Sequence, residues 1–146
     1  MKVISLTQPW ASLVLLGAKR IETRTWGTHY RGPIAIHASK EMPRDFRTLA
    51  ATEPFSSVLA QRNGDLPRGC VLCVTSLLDV QELVARDDAK YVVERYGAEH
   101  EWDFGNYERG RFAWILGPVT LVLTPPVYVK GKLGLWDWDS AVRVPA

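Results

Sequence analysis

The segment Gly17–Arg24 constrains the fold more than any other part of the sequence. It places four ionised side chains within six residues, between an apolar helix pattern at 9–16 and an apolar strand pattern at 33–36. Charges held between core elements are costly unless they are paired or serve a function. The segment is therefore either a solvated, self-neutralising stretch or part of a polar site.

A strand over residues 20–25 would sort these charges onto one face. Alternate residues of a strand point to opposite faces, so Arg20, Glu22 and Arg24 would share one face and the residues between them the other. An exposed strand with neutralising charge pairs fits this pattern. So does the mouth of a cleft, where Lys19 and Arg24 bind an anion or a polar base and Glu22 orients them or accepts a proton.

The segment is also one of an ordered set of blocks that carry a family resemblance. Its Gly17, Lys19, Glu22 and Arg24 match the pattern Gly-x-Lys-x-x-Glu-x-Arg, and the other blocks are Leu6–Ser12, Tyr30–Ala38, Gly110–Trp114 and Gly131–Trp136. Together they resemble the ASCH domain (activating signal cointegrator homology), which belongs to the PUA-like superfamily. The resemblance covers nearly the whole chain and implies a PUA-like β-barrel.

The hydrophobic pattern independently predicts the α+β class, as a barrel-like sheet with helical insertions. The 146 residues suit one domain, residues 1–146. Predicted strands lie at 2–6, 20–25, 32–39, 69–80, 111–116, 119–123 and 127–132, and predicted helices at 9–16, 43–51, 55–61 and 85–96. Pro125-Pro126 is expected to interrupt the last pair of strands.

The resemblance implies three functions that the residues leave open. Some ASCH proteins are thought to bind RNA, and we expect this chain to bind single-stranded RNA or a modified nucleoside in a charged cleft. The first alternative is a hydrolase, either a metal-independent single-strand ribonuclease or an amidohydrolase on N4-acylated cytidine. The second alternative is a protein-interaction module.

The amidohydrolase type differs from this sequence at one position. In that type a Lys is followed three residues later by a Thr nucleophile, and a Glu comes from a later strand. Here Lys19 matches the Lys, but the residue three further on is Glu22, and Thr23 lies on the opposite strand face. Asp79 and Glu82 are the two candidates for the later acid.

Cations interleaved with aromatic residues indicate where nucleic acid would bind, since phosphates pair with cations and unstacked bases stack on rings. Lys40, Lys130 and Lys132 belong to the same basic group, whereas Trp114 sits in an apolar strand and is more typical of a core residue than of a binding residue. We predict Lys19 and Glu22 as catalytic residues. The predicted substrate- or RNA-binding residues are Arg24, Trp26, Tyr30, Arg31, His37 and Arg111.

Net charge and the absence of known motifs exclude several other classes of protein. The net charge of +2 is modest, so nucleic-acid contacts must come from local clustering. No His-Glu-x-x-His, Walker A or Rossmann glycine pattern occurs, and we expect neither a metal nor a cofactor. Cys70 and Cys73 lie in an apolar strand pattern and are expected to be buried and structural. Reduced cysteines, an N-terminus without signal-peptide layout and the lack of a long apolar run predict a cytoplasmic protein without a membrane span.

Overall fold

The computed structural model describes residues 1–140, which form a mixed seven-stranded sheet with a few short helices. The strands are β1 (Lys2–Leu6), β2 (Ile21–Arg24), β3 (Gly32–Ala38), β4 (Cys70–Glu82), β5 (Phe112–Leu116), β6 (Leu121–Tyr128) and β7 (Leu135–Asp137). The α-helices are α1 (Trp10–Leu15), α2 (Arg44–Ala50), α3 (Phe55–Leu59) and α4 (Asp88–Tyr96), and 3-10 turns cover Ala60–Arg62 and Glu101–Phe104. The predicted α+β class is confirmed.

The sheet is not closed into a barrel, which corrects that part of the expectation. Its strand order is β2-β5-β4-β3-β1-β7, with β6 added beside β4, and only β1 and β3 run parallel. Within residues 1–140, β2 pairs only with β5, and β7 pairs only with β1. The free edge of β2 is instead bonded by side chains, so a closing strand would find the amide of Thr23 and the carbonyls of Ile21 and Thr23 already bonded.

The core lies on both faces of the central strands. Helix α1 packs on one face, over a cluster that includes Ile34, Ile36 and Trp114. The opposite face buries a second cluster, which includes Ala35 and Trp136. Since both faces are covered, β3 is a nearly continuous apolar run rather than an alternating one.

Strand β2 shows the alternation that the sequence predicts. Ile21 and Thr23 are buried, whereas Glu22 and Arg24 are half-buried. Ile21 packs with Val92 of α4, which covers this face of the sheet. The buried residues therefore fix the strand, and the charged pair is left facing outward.

The proline pair 125–126 does not end a strand, contrary to expectation. β6 continues to Tyr128, because Val122 pairs with Cys73 and Val127 pairs with Val71. Four residues, 123–126, thus stand opposite one residue of β4. Such a bulge accommodates prolines, since it needs no backbone N–H for the ladder.

Both cysteines are buried and free, in agreement with the structural role predicted for them. A shift in the register of β4 between residues 71 and 73 lets Cys70 and Cys73 join the same core cluster. Burial raises the pKa of the Cys73 thiol to about 12 and also raises that of Cys70. These thiols are therefore poor nucleophiles in the folded chain.

Candidate functional site

Lys19 lies beneath the surface, with 2% of its area exposed. Its ammonium donates hydrogen bonds to the carbonyl of Ile21 at 2.6 Å and to that of Phe104 at 2.9 Å. A carboxylate oxygen of Glu22 lies 3.7 Å away. The ammonium therefore has two hydrogen bonds to backbone carbonyls and an ion-pair contact with Glu22. Lys19, predicted as a catalytic residue, is thus placed where it ties the loop around Phe104 to β2.

Side chains also bond the other backbone groups on the free edge of β2. The amide of Thr23 donates to Glu22 Oε1 at 3.2 Å, and its carbonyl accepts from Arg111 Nη2 at 2.9 Å. The Thr23 hydroxyl donates to the carbonyl of Asn106 at 2.6 Å. An edge strand normally exposes a row of unpaired groups. Here ionised side chains and the loop beside them occupy that row.

Glu101 is the fully buried carboxylate of this network. Its Oε1 accepts from the amides of Arg20 at 2.7 Å and Ala98 at 3.1 Å, while its Oε2 has no hydrogen-bond partner among the described residues. Burial raises its pKa, and the positive charge of Lys19 acts in the opposite direction. Glu101 is thus a buried charge near Lys19 that holds the amide of Arg20, the residue before β2.

Glu22 and Arg24 form the outward-facing pair. Arg24 donates through Nε at 3.2 Å and lies within 3.1 Å through Nη2 of the same Glu22 oxygen. The Nη2 group also donates to the carbonyl of Ser5 at 2.8 Å, which links β2 to the end of β1. Both side chains retain some exposure, so a ligand can reach them.

A cavity of about 470 Å³, here called the motif cavity, opens beside this pair. Its ionisable lining residues are two carboxylates and two guanidinium groups: Glu22, Asp103, Arg24 and Arg111. Trp10 and Phe46 supply aromatic surface, and the buried Phe104 lies behind it. The balanced charge and aromatic walls suit a flat polar group better than a bare anion.

A second cavity of about 900 Å³, here called the basic cavity, lies on the other side of Arg24. Ser5 and Arg24 line both cavities, so the two are adjacent. His37 lines the basic cavity but is 1% exposed. Its Nε2 bonds the carbonyl of Val129 at 2.8 Å, so Nε2 carries the proton and Nδ1 accepts from the Ser5 hydroxyl at 3.0 Å.

The structure places Trp26, Tyr30 and Arg31 away from both cavities. Tyr30 and Arg31 precede β3, whereas His37 lies near its far end, which corresponds to roughly 20 Å of strand. Arg31 pairs with Asp79 at 3.3 Å, and the Tyr30 hydroxyl donates to the carbonyl of Pro33. Trp26 packs edge-on against Trp114, with ring centroids 4.9 Å apart. The structure therefore brings together only Glu22, Arg24, Arg111 and His37 around the two cavities, with Lys19 beneath them.

The catalytic parts implied by the amidohydrolase resemblance are not assembled in the described residues. Thr23 reaches the motif cavity, but its hydroxyl already donates to Asn106 and accepts from Arg111 at 3.2 Å. Asp79 and Glu82 line neither cavity. No group of three or more His, Cys, Asp or Glu side chains in residues 1–140 is arranged to hold a metal ion.

The loop that forms one wall of the motif cavity was not predicted from the sequence as part of the site. Asp103, Phe104 and Asn106 come from the segment that follows α4. This segment is aromatic and acidic in the sequence, which is the signal that marks it. Its position against β2 depends on contacts across more than 80 residues, such as the bond between Lys19 and Phe104.

Comparison with known proteins identifies the family. The ASCH domain profile matches residues 4–125. The chain belongs to the ASCH domain family. It is 30% identical to human activating signal cointegrator 1 and 29% identical to the mouse protein, in each case in an alignment of 144 residues that covers 96% of this chain. The match spans 22% of each of those curated relatives, so it concerns one part of a longer protein.

The fold of this chain also resembles that of a solved ASCH protein. A crystal structure of a point mutant of an ASCH protein from Zymomonas mobilis superimposes with a TM-score of 0.50 and 19% identity, covering 88% of this chain and 75% of that one. The ASCH domain family is generally linked to RNA binding. Among residues 1–140 of this ASCH domain, no helix is long and apolar enough to cross a membrane; the longest, α4, has nine residues.

Proposed function

We propose that this ASCH domain binds single-stranded RNA, with one base, plain or modified, held in the motif cavity. The observation that carries the proposal is the composition of that cavity, in which the partly exposed Trp10 and Phe46 stand beside exposed parts of Glu22 and Arg24. Unpaired bases are recognised by stacking on aromatic rings and by hydrogen bonds to their edges. The volume of about 470 Å³ lies within the usual range for small-ligand sites.

In this proposal the acidic residues accept hydrogen bonds from the ligand and the basic residues donate them. The carboxylates of Glu22 and Asp103 accept hydrogen bonds from the amino and imino groups of a base. Arg24 and Arg111 donate to base carbonyls or to a phosphate at the rim. Because Glu22 is held by the Thr23 amide, Arg24 and Lys19, its orientation is set before a ligand arrives. Such preorganisation reduces the entropy lost on binding.

The test is fluorescence anisotropy of a labelled single-stranded RNA, with wild type, Glu22→Gln and Arg24→Lys. Loss of a hydrogen bond to a charged group costs about 1.5–3 kcal/mol, so each variant should bind about tenfold or more weakly. Arg95→Gln is the matched control, because Arg95 lies on the surface of α4, where it interacts with Tyr96 and Tyr91 and lines neither cavity. Arg31→Gln tests whether RNA binds instead at the opposite end of β3.

The outcomes separate the alternatives. Binding that falls in Glu22→Gln and Arg24→Lys but not in Arg95→Gln supports the motif cavity. Binding that falls only in Arg31→Gln moves the site to the other end of the sheet. Equal affinity for duplex DNA, or no oligonucleotide binding, contradicts the proposal and favours a protein-interaction module. Mass spectrometry of the same incubations, with N4-acetylcytidine added, detects any hydrolysis.

A further inference from the structure

The basic cavity has the charge and the surface of a second binding site. Among residues 1–140, the cations Arg24, Lys40, Lys130 and Lys132 line it, against one carboxylate, Glu41. The three lysines form no ion pair with any residue in the described range 1–140. Unpaired cations gathered around a concave surface attract a polyanion and are its usual phosphate contacts.

An aromatic ring stands at the same cavity. Tyr128, the last residue of β6, lines it and is 72% exposed. A large aromatic side chain normally gains stability by being buried, so one held in solvent next to lysines is a platform on which a base can stack. Base–aromatic stacking contributes about 1–3 kcal/mol per base and tolerates any sequence.

The loop that carries two of the lysines is held in place. A Cβ at Gly131 would lie 2.6 Å from His37 Cε1 and 3.0 Å from Ser5 Oγ, so only glycine fits between Lys130 and Lys132. His37 also bonds the carbonyl of Val129, the residue before Lys130. The lysines are thus presented from a loop anchored to β1 and β3.

The two cavities are joined through shared residues. Arg24 and Ser5 line both, and the Arg24 guanidinium is fixed between Glu22 and the carbonyl of Ser5. A strand with one base in the motif cavity can pass its backbone over Arg24 and reach the lysines. A free nucleoside would leave the basic cavity unused.

We propose that the basic cavity binds the nucleotide adjacent to the one in the motif cavity, with its phosphates on Lys130 and Lys132 and its base on Tyr128. The domain would then recognise an oligonucleotide of at least two residues rather than a free nucleoside. This proposal rests on the proposed function, because the first base must occupy the motif cavity.

The test compares a labelled RNA decamer with an unlabelled nucleoside monophosphate as competitor. Lys130→Gln/Lys132→Gln should weaken decamer binding at least tenfold and leave nucleotide competition unchanged. The slope of log K against log salt should fall in magnitude by about 1.4, since single strands lose about 0.7 per phosphate contact. Lys90→Gln/Arg95→Gln on α4 removes the same charge and is the control. Tyr128→Ala, compared with the exposed Tyr91→Ala, tests stacking.

Each result decides the proposal. Selective loss of decamer affinity and salt dependence in the lysine double variant supports it. If the lysine double variant binds the decamer as well as the α4 control does, the second subsite is refuted while the motif cavity stands. The same holds if the nucleotide and unlabelled decamer displace the labelled decamer from wild type equally well. If wild type binds neither ligand, the proposed function fails and this inference falls with it.

Discussion

Replacing Lys19 by Met should destabilise the domain without changing its fold. Met fills most of the volume of the Lys side chain but has no donor. The carbonyls of Ile21 and Phe104 would lose the ammonium that bonds them at 2.6 and 2.9 Å. Both residues are at most 1% exposed, so water does not replace the lost bonds.

The expected magnitude follows from these two acceptors. A buried group left without a partner costs about 1–3 kcal/mol, which gives about 2–6 kcal/mol for two. Part of this is offset, because an ammonium no longer has to be kept out of water. We expect a net loss of about 3 kcal/mol in the free energy of unfolding. In a domain of this size that lowers the melting temperature by about 6–12 °C.

Urea unfolding followed by tryptophan fluorescence measures this free energy, since the chain has six tryptophans and Trp114 is fully buried. Lys90→Met is the control, because Lys90 is exposed and its only ion pair within residues 1–140, to Glu94, is 4.0 Å long; it should change the free energy by less than about 0.5 kcal/mol. If Lys19→Met is as stable as this control, the ammonium does not hold the edge of β2. RNA affinity measured well below the melting temperature then shows whether Lys19 also positions Glu22.

Two further predictions concern buried titratable groups. Cys70→Ala/Cys73→Ala should keep RNA affinity and lose only modest stability, and a thiol reagent at pH 8 should label wild type only as it unfolds, because burial raises the pKa of Cys73 to about 12; rapid labelling of folded protein would contradict this. Burial lowers the pKa of His37 from its usual 6.5, so below about pH 6.5 the unfolded chain binds a proton that the folded chain does not. Stability contributed by neutral His37 is therefore present above that pH and falls as the pH drops, by at most about 1.4 kcal/mol per unit. The pH profile of His37→Gln should lack this component; identical profiles would refute the assignment.

Local patterns predicted the parts of the structure that local interactions determine. The alternation of β2 followed from residue spacing, since Ile21 needs a buried face and Arg24 an exposed one. Residue spacing did not predict that β6 continues through Pro125-Pro126, because the bulge there is set by the register of the neighbouring strand. Closure of the barrel also depends on long-range pairing, which spacing does not encode.

The same distinction explains the candidate site. Glu22 and Arg24 lie on one strand face, so the sequence was enough to pair them. Tyr30 and His37 are close in sequence, but a strand of seven residues holds them apart. Burial of Lys19 could not be predicted either, because one of its acceptors, the carbonyl of Phe104, is 85 residues away.

The charged edge of β2 has a consequence for association between copies of the chain. An open strand edge is a template on which another chain can add a strand, but here Lys19, Glu22 and Arg111 already occupy its backbone groups. Replacing Glu22 and Lys19 together would free the Thr23 amide and the Ile21 carbonyl. Such a variant should self-associate through β2 at high concentration, which size-exclusion chromatography would detect. The segment that marks the family would then also be what keeps neighbouring molecules from joining their sheets.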